Sequence, residues 1–159
     1  MKTETTNRAS ITRLWCVKQT PANVSGYWDT LRQAVSESNP HMPKEFVSSI
    51  MAQIRAGNVV AWALHDATDP DVTMPLVGFL LTSLAQDQDG KLVYVHTLWK
   101  FPDAPVSMEA WQSAMDTIEK YARENGCAYV KTAVREQHVV ALTQSLGFDE
   151  ELRIVRKAV

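Results

Sequence analysis

The side chain best suited to acid–base work in this chain is His96, within the run Tyr94-Val95-His96-Thr97-Leu98-Trp99-Lys100. An imidazole with a pKa of about 6.5 can accept a proton at neutral pH. The run reads as a strand, so Tyr94, His96, Leu98 and Lys100 should share one face and Val95, Thr97 and Trp99 the other. Two readings of His96 stand side by side: a general base lining a cleft, or a sheet histidine satisfied by a neighbouring polar group. His65 ends another strand, His41 lies in a loop between Pro40 and Pro43, and His138 opens a short helix, all weaker positions for chemistry.

Other chemistries find less support. Four histidines and two cysteines show no zinc-ligand spacing, so no metal is expected. Cys16 and Cys127 lie in apolar, strand-like settings and read as buried structural thiols. There is no Gly-x-Gly-x-x-Gly or Walker sequence. Net charge is -2, and lysines and arginines do not interleave with aromatics, so neither nucleic acid nor an anionic membrane is an expected partner. The first ten residues form a polar tail without the apolar run of a signal peptide. No stretch nears the ~18 apolar residues of a membrane span. The expectation is a soluble, cytoplasmic protein.

The elements that must position His96 follow from periodicity. A strand over Ile11–Lys18 precedes a helix starting at Ala22, with Val24, Tyr27, Trp28, Leu31 and Val35 at helical spacing and a stop at Asn39-Pro40. A second helix after Pro43 turns Phe46, Val47, Ile50, Met51 and Ile54 inward and ends at Gly57-Asn58. Strands follow over Val59–His65, Leu76–Leu84 and Lys91–Phe101, the last two joined through a hairpin signal at Asp89-Gly90. The loop Phe101–Val106 holds two prolines, and Ser107 can cap a helix bearing Met108, Trp111, Met115, Ile118 and Ala122 on one stripe. A strand over Cys127–Val134, a helix over His138–Leu146 and a strand over Leu152–Lys157 complete the order β-α-α-β-β-β-α-β-α-β. The expected fold class is α/β, a mixed (α+β) sheet formed by a single domain over residues 11–159 after the tail of residues 1–10, with an antiparallel centre and one parallel β-α-β unit near the end. Trp15, Trp62, Trp99 and Trp111 all fall on apolar faces and are expected in the core.

This order resembles the GNAT acyltransferase superfamily. Two stretches sharpen the likeness: Tyr94 to Pro102, similar to that family's fourth strand, and Leu142-Thr143-Gln144-Ser145-Leu146-Gly147-Phe148, similar to its last helix. The resemblance implies that strands four and five splay apart around acetyl-coenzyme A, whose diphosphate would sit on backbone N–H groups at the next helix start. The backbone around Leu98, Trp99 and Lys100 would face the reacting carbonyl, and Met108, Glu109, Ala110 and Trp111 the phosphates. Here the family's Arg/Gln-x-x-Gly-x-Gly/Ala motif reads Pro105-Val106-Ser107-Met108-Glu109-Ala110, and only Ala110 satisfies it. The family's frequent acid tyrosine corresponds to Thr143, a poor acid, and an asparagine often found earlier corresponds to Glu136. His96 would serve as base, and Tyr27 and Trp28 would border the acceptor pocket.

Two functions follow as expectations, beside a third, a binder of some other acyl carrier or small ligand in the same cleft. One is an N-acyltransferase moving an acetyl group from acetyl-coenzyme A to a small amine or a protein amine by direct attack. The other is an inactive GNAT-like interaction or structural module, whose protein partner or self-association would use the apolar residues of Pro102 to Met108.

Overall fold

The alternating apolar segments do form strands, and the structure, a computed structural model, describes residues 9–69, 71, 74–134, 137–149 and 157. In chain order these give β1 (Leu14–Gln19), a 3-10 turn (Val24–Tyr27), α1 (Trp28–Ser38), α2 (Lys44–Arg55), β2 (Val60–Asp66), β3 (Leu76–Asp87), β4 (Gly90–Lys100), α3 (Met108–Glu124), β5 (Tyr129–Thr132) and α4 (Gln137–Ser145). The strand expected over Leu152–Lys157 lies outside the described residues. The expected first helix is therefore a 3-10 turn followed by a shorter α-helix. Among the described strands β3 begins at Leu76 as expected and the other bounds differ by one to three residues, where pairing partners rather than apolar pattern decide the end.

The sheet runs β1-β2-β3-β4-β5. The first four strands pair antiparallel, and β5 adds parallel to β4 through α3. Gly90, at φ +126°, follows the two-residue loop that folds β3 onto β4, and Asp87 Oδ1 accepts the Asp89 amide at 2.8 Å. Residues on one face of the sheet, such as Trp62, Leu64, Val93 and Val95, pack with Trp111, Met115 and Ile118 of α3. Those on the other, such as Phe79, Leu81 and Trp99, pack with Leu31, Val35, Met51 and Ile54 of α1 and α2. Both faces of the central strands are thus covered, which is why β2 and β3 are nearly continuous in apolar side chains.

Trp62, Trp99 and Trp111 are buried as expected, but Trp15 is 51% exposed. The reason is position: β1 is an edge strand, and α1 packs over β3 and β4 instead. Trp15 rests beside the His65 ring, 6.0 Å between centroids. Cys16 is buried, its thiol pushed up to about 12 by loss of solvent, which leaves it an unreactive packing group. Cys127 is only half-buried, because it precedes β5 instead of lying within it. Among the described residues no helix is long and apolar enough to cross a membrane.

Candidate active site

The sequence pattern supplies β4 with unbroken alternation, but the sheet interrupts it. Thr82 pairs with Val95 while its neighbour Leu81 pairs with Thr97, so His96 is the extra residue of a β-bulge. The bulge reverses the facing of the strand. Val93, Val95 and Leu98 pack on the α3 side, whereas Trp99 packs on the α1–α2 side. The single-face grouping of Tyr94, His96, Leu98 and Lys100 is therefore replaced by a change of face at His96.

Just beyond the bulge the two parallel strands part. Their last pair is Val95 with Thr132, and Thr132 Oγ1 donates to the Val95 carbonyl at 3.0 Å. β5 ends there, while β4 continues to Lys100. The Phe101 amide donates to Val77 on the β3 side. Peptide groups alternate along a strand, so those of Leu98 and Lys100 are turned away from β3, toward the gap.

Gly78 lets the two strands on the other flank approach closely. A Cβ built there falls on the Trp99 carbonyl oxygen and comes within 2.8 Å of Lys100 Cα. Only glycine fits that position, and it holds the end of β4 against β3 while β5 is absent.

A cavity of about 850 Å3 passes through the gap, within the usual range for small-molecule sites. Its α3–α4 side is lined by Trp111, Ala114, Met115, Val139 and Thr143, and its opposite side by Glu37, Asn39, His41, Met42 and Phe46. Tyr94 to Lys100 form the wall between. Of the residues expected at a site, His96, Thr143, Leu98, Trp99, Lys100 and Trp111 are thereby brought together. Met108, Glu109 and Ala110 do not line the cavity, because its α3 wall begins a turn later at Trp111. Tyr27 and Trp28 do not line it either. Tyr27 packs edge-on against Phe79, and Trp28 lies under the Arg55 guanidinium at 4.3 Å. Glu136 and the side chain of His138 lie outside the described residues.

His96 is held on both sides. Its Nε2 lies 2.7 Å from Ser83 Oγ, and its ring meets Tyr94 in an edge-on contact at 4.8 Å. Burial lowers its pKa, so the neutral imidazole dominates at pH 7. The neighbouring-polar-group reading of His96 is thus met by Ser83, and the same hydrogen bond orients the ring at the cavity wall. Ser83 was not foreseen, although a signal existed. The hairpin register sets Ser83 opposite Tyr94, one diagonal step from His96.

Glu37 was also missed, since nothing local distinguishes it from other polar residues on α1. It accepts hydrogen bonds from Gln33 at 2.9 Å and from the Trp99 indole at 2.7 Å. These bonds, Gln33's first, hold its carboxyl below the usual range, so it is anionic at neutral pH. Thr143 donates to the Val140 carbonyl at 2.8 Å, which directs its proton back into α4. His65 Nδ1 lies 3.0 Å from the Met74 carbonyl, away from the cavity. No cluster of three or more metal-ligating side chains occurs among the described residues. In the loop Pro102 to Met108, Ala104 is buried and Val106 packs on the α3-side core together with the preceding Phe101. Pro102 and Met108 stay exposed, so only part of the apolar surface expected there is turned inward.

The strand order, the parted strands and the cavity define a GNAT-like fold, and comparison with solved structures agrees. The chain is similar to aminoglycoside N-acetyltransferase AAC(6')-Iy in complex with CoA, at TM-score 0.65 and 13% identity, covering 92% of this chain and 95% of that one. It is similar to a predicted acetyltransferase from Clostridium acetobutylicum with acetyl-CoA, at TM-score 0.63 and 10% identity, covering 91% and 96%. It is also similar to the aminoglycoside acetyltransferase meta-AAC0020 from an uncultured soil metagenomic sample in complex with sisomicin, at TM-score 0.62 and 11% identity, covering 92% and 95%. No protein-family model matches the sequence, and no curated protein matches it.

Proposed function

We propose that this chain is an N-acyltransferase that passes an acyl group from a coenzyme A-type thioester to an amine. The observation that carries this reading is the parting of β4 and β5 after Val95 and Thr132, with a cavity through the gap and His96 at its wall. Similar structures named as aminoglycoside acetyltransferases, one with CoA and one with sisomicin, support acyl transfer to an amine acceptor. The lining suits the two halves of such a reaction. The apolar α3–α4 side fits a pantetheine arm, and the side bearing Glu37, Asn39 and His41 fits a polar amine.

The thioester, when bound, supplies an activated acyl carbon and a thiolate leaving group. Neutral His96 takes a proton from the attacking nitrogen as the N–C bond forms. This requires the tautomer in which Nε2–H donates to Ser83 Oγ and leaves the Nδ1 lone pair free. The Leu98 amide, turned to the gap, is placed to donate to the acyl oxygen as negative charge develops. The C–S bond then breaks. A thiol with a pKa of about 8.5 departs without a strong acid, so Thr143 need not give up a proton already bonded to Val140. Glu37 places one fixed negative charge on the acceptor side, which favours approach of an ammonium group; that group gives its first proton to solvent, and His96 takes the second as the N–C bond forms.

The test is direct. The protein is incubated with millimolar acetyl-coenzyme A and a set of amines including an aminoglycoside, and acetylated amine is sought by mass spectrometry. A donor at ~100 times its dissociation constant should also add about 2.7 kcal/mol, a rise of roughly 5–11 °C in Tm for a chain of this size. No product with any amine, together with an unmoved melting curve, would overturn the proposal.

A further inference from the structure

Resting on that reading, we infer that the acyl donor is gripped by its pantetheine thioester arm alone, and that the nucleotide diphosphate of coenzyme A is not bound by this chain. The substrate class is then any pantetheine thioester, whether free or carried by another group.

The inference stands on what the start of α3 does with its own donors. A helix start holds a diphosphate by offering unpaired amides that approach it closely. Here Ser107 Oγ accepts the Ala110 amide at 3.2 Å, and the Ser107 carbonyl accepts that of Trp111 at 3.1 Å. The Ser107 amide itself donates to the Ile11 carbonyl at 2.9 Å, and those of Val106 and Ala104 turn back to Ala104 and Phe101. Pro105 has no amide hydrogen. From Ala104 to Trp111, among the described residues, only the Met108 and Glu109 amides lack a protein acceptor.

Those two are poorly suited to a polyanion. The Met108 side chain is 43% exposed and stands where a phosphate would need bare backbone, and Glu109 adds a negative charge beside it. The chain also fixes this corner from outside. Ile11 bridges Val106 in parallel, its amide donates to Pro105 at 2.8 Å, and Ser10 Oγ donates to the same carbonyl at 3.2 Å. Ile11 is buried, so the strap is packed in place.

The cavity offers no substitute. Lys100 is the lone lysine or arginine that lines it among the described residues, and its Nζ donates to the carbonyls of Phe101 and Pro102 at 3.3 and 3.5 Å. The thioester end, in contrast, meets the open gap and an apolar wall.

The experiment compares donors with one amine acceptor: acetyl-coenzyme A, S-acetylpantetheine, and acetyl-phosphopantetheine on an acyl carrier protein. We expect kcat/KM for S-acetylpantetheine within about threefold of acetyl-coenzyme A, and no competition by 3',5'-ADP at millimolar concentration. Two charge-assisted phosphate contacts are worth at least about a hundredfold. A loss of that size with S-acetylpantetheine, or competitive inhibition by 3',5'-ADP, overturns the inference while leaving the transferase intact. Turnover of the carrier-borne acetyl group at a comparable rate supports the inference with a protein as the source. Its refusal beside an active S-acetylpantetheine supports it with a free thioester as the source. Failure of every donor overturns the inference together with the transferase reading.

Discussion

Replacing His96 by Gln isolates proton acceptance from packing. Glutamine can still reach Ser83 and fill most of the ring's space, but it cannot take a proton. At pH 7 an imidazole of ordinary pKa, about 6.5, is roughly three-quarters neutral. Burial lowers the value for His96, so the active base form is at least that abundant. General-base catalysis contributes about 10²–10⁴ in rate, or about 3–5 kcal/mol of barrier. His96→Gln should therefore reduce kcat/KM by that factor with the donor's KM little changed. The pH profile supplies the second readout. With a lowered pKa the acid limb of the wild-type protein falls below pH 6.5, and His96→Gln should abolish that limb. Stability has the same sign: a depressed histidine favours the fold above its ordinary pKa, and this contribution is lost as pH falls through the folded value. The variant should lose less Tm than the wild type on acidification. Thiol release monitored from pH 5 to 8 makes the measurement. A variant within about threefold of wild type, or one that keeps the acid limb, would refute the assignment of His96 as base.

Other consequences concern the frame that holds the site. Thr82→Val keeps shape but strips the acceptor from the buried Trp62 indole, bonded at 2.9 Å. It should cost about 1–3 kcal/mol, a Tm loss of about 2–12 °C in a melting curve, and an unchanged Tm would show that the indole is satisfied elsewhere. Gly78→Ala pushes a methyl group into the β4 backbone at Trp99 and Lys100. It should destabilise the fold by about 3 kcal/mol or more, and a denaturant midpoint equal to wild type would contradict the close approach. Ser83→Ala should lower kcat/KM less than His96→Gln does while shifting the acid limb, since it frees the ring rather than removing it. A profile identical to wild type would remove Ser83 as a positioning residue.

Local pattern determined the larger elements of this protein. The apolar stripe from Met108 to Ala122, the Ser107 cap and the Asp89-Gly90 turn each encode their structure within a few residues, and α3 and the β3–β4 hairpin form where they imply. Candidates for chemistry could be named by residue type: His96 stands out as an imidazole in an apolar strand, and the departure of Pro105 and Met108 from the phosphate motif of the family it resembles is visible without coordinates. The tertiary structure decided what pairing and long-range approach control. The bulge at His96 arises from a register that neither strand specifies alone, and it turned a regular strand into one that changes face at the site. Trp15 lies exposed because α1, on its face of the sheet, crosses β4 and β3 and not the edge strand. Glu37 reaches Trp99 across 62 positions of sequence, and Ser10 and Ile11 strap the loop before α3 from its far end. Periodicity records which side chains seek cover, but only the assembled sheet determines which of them meet.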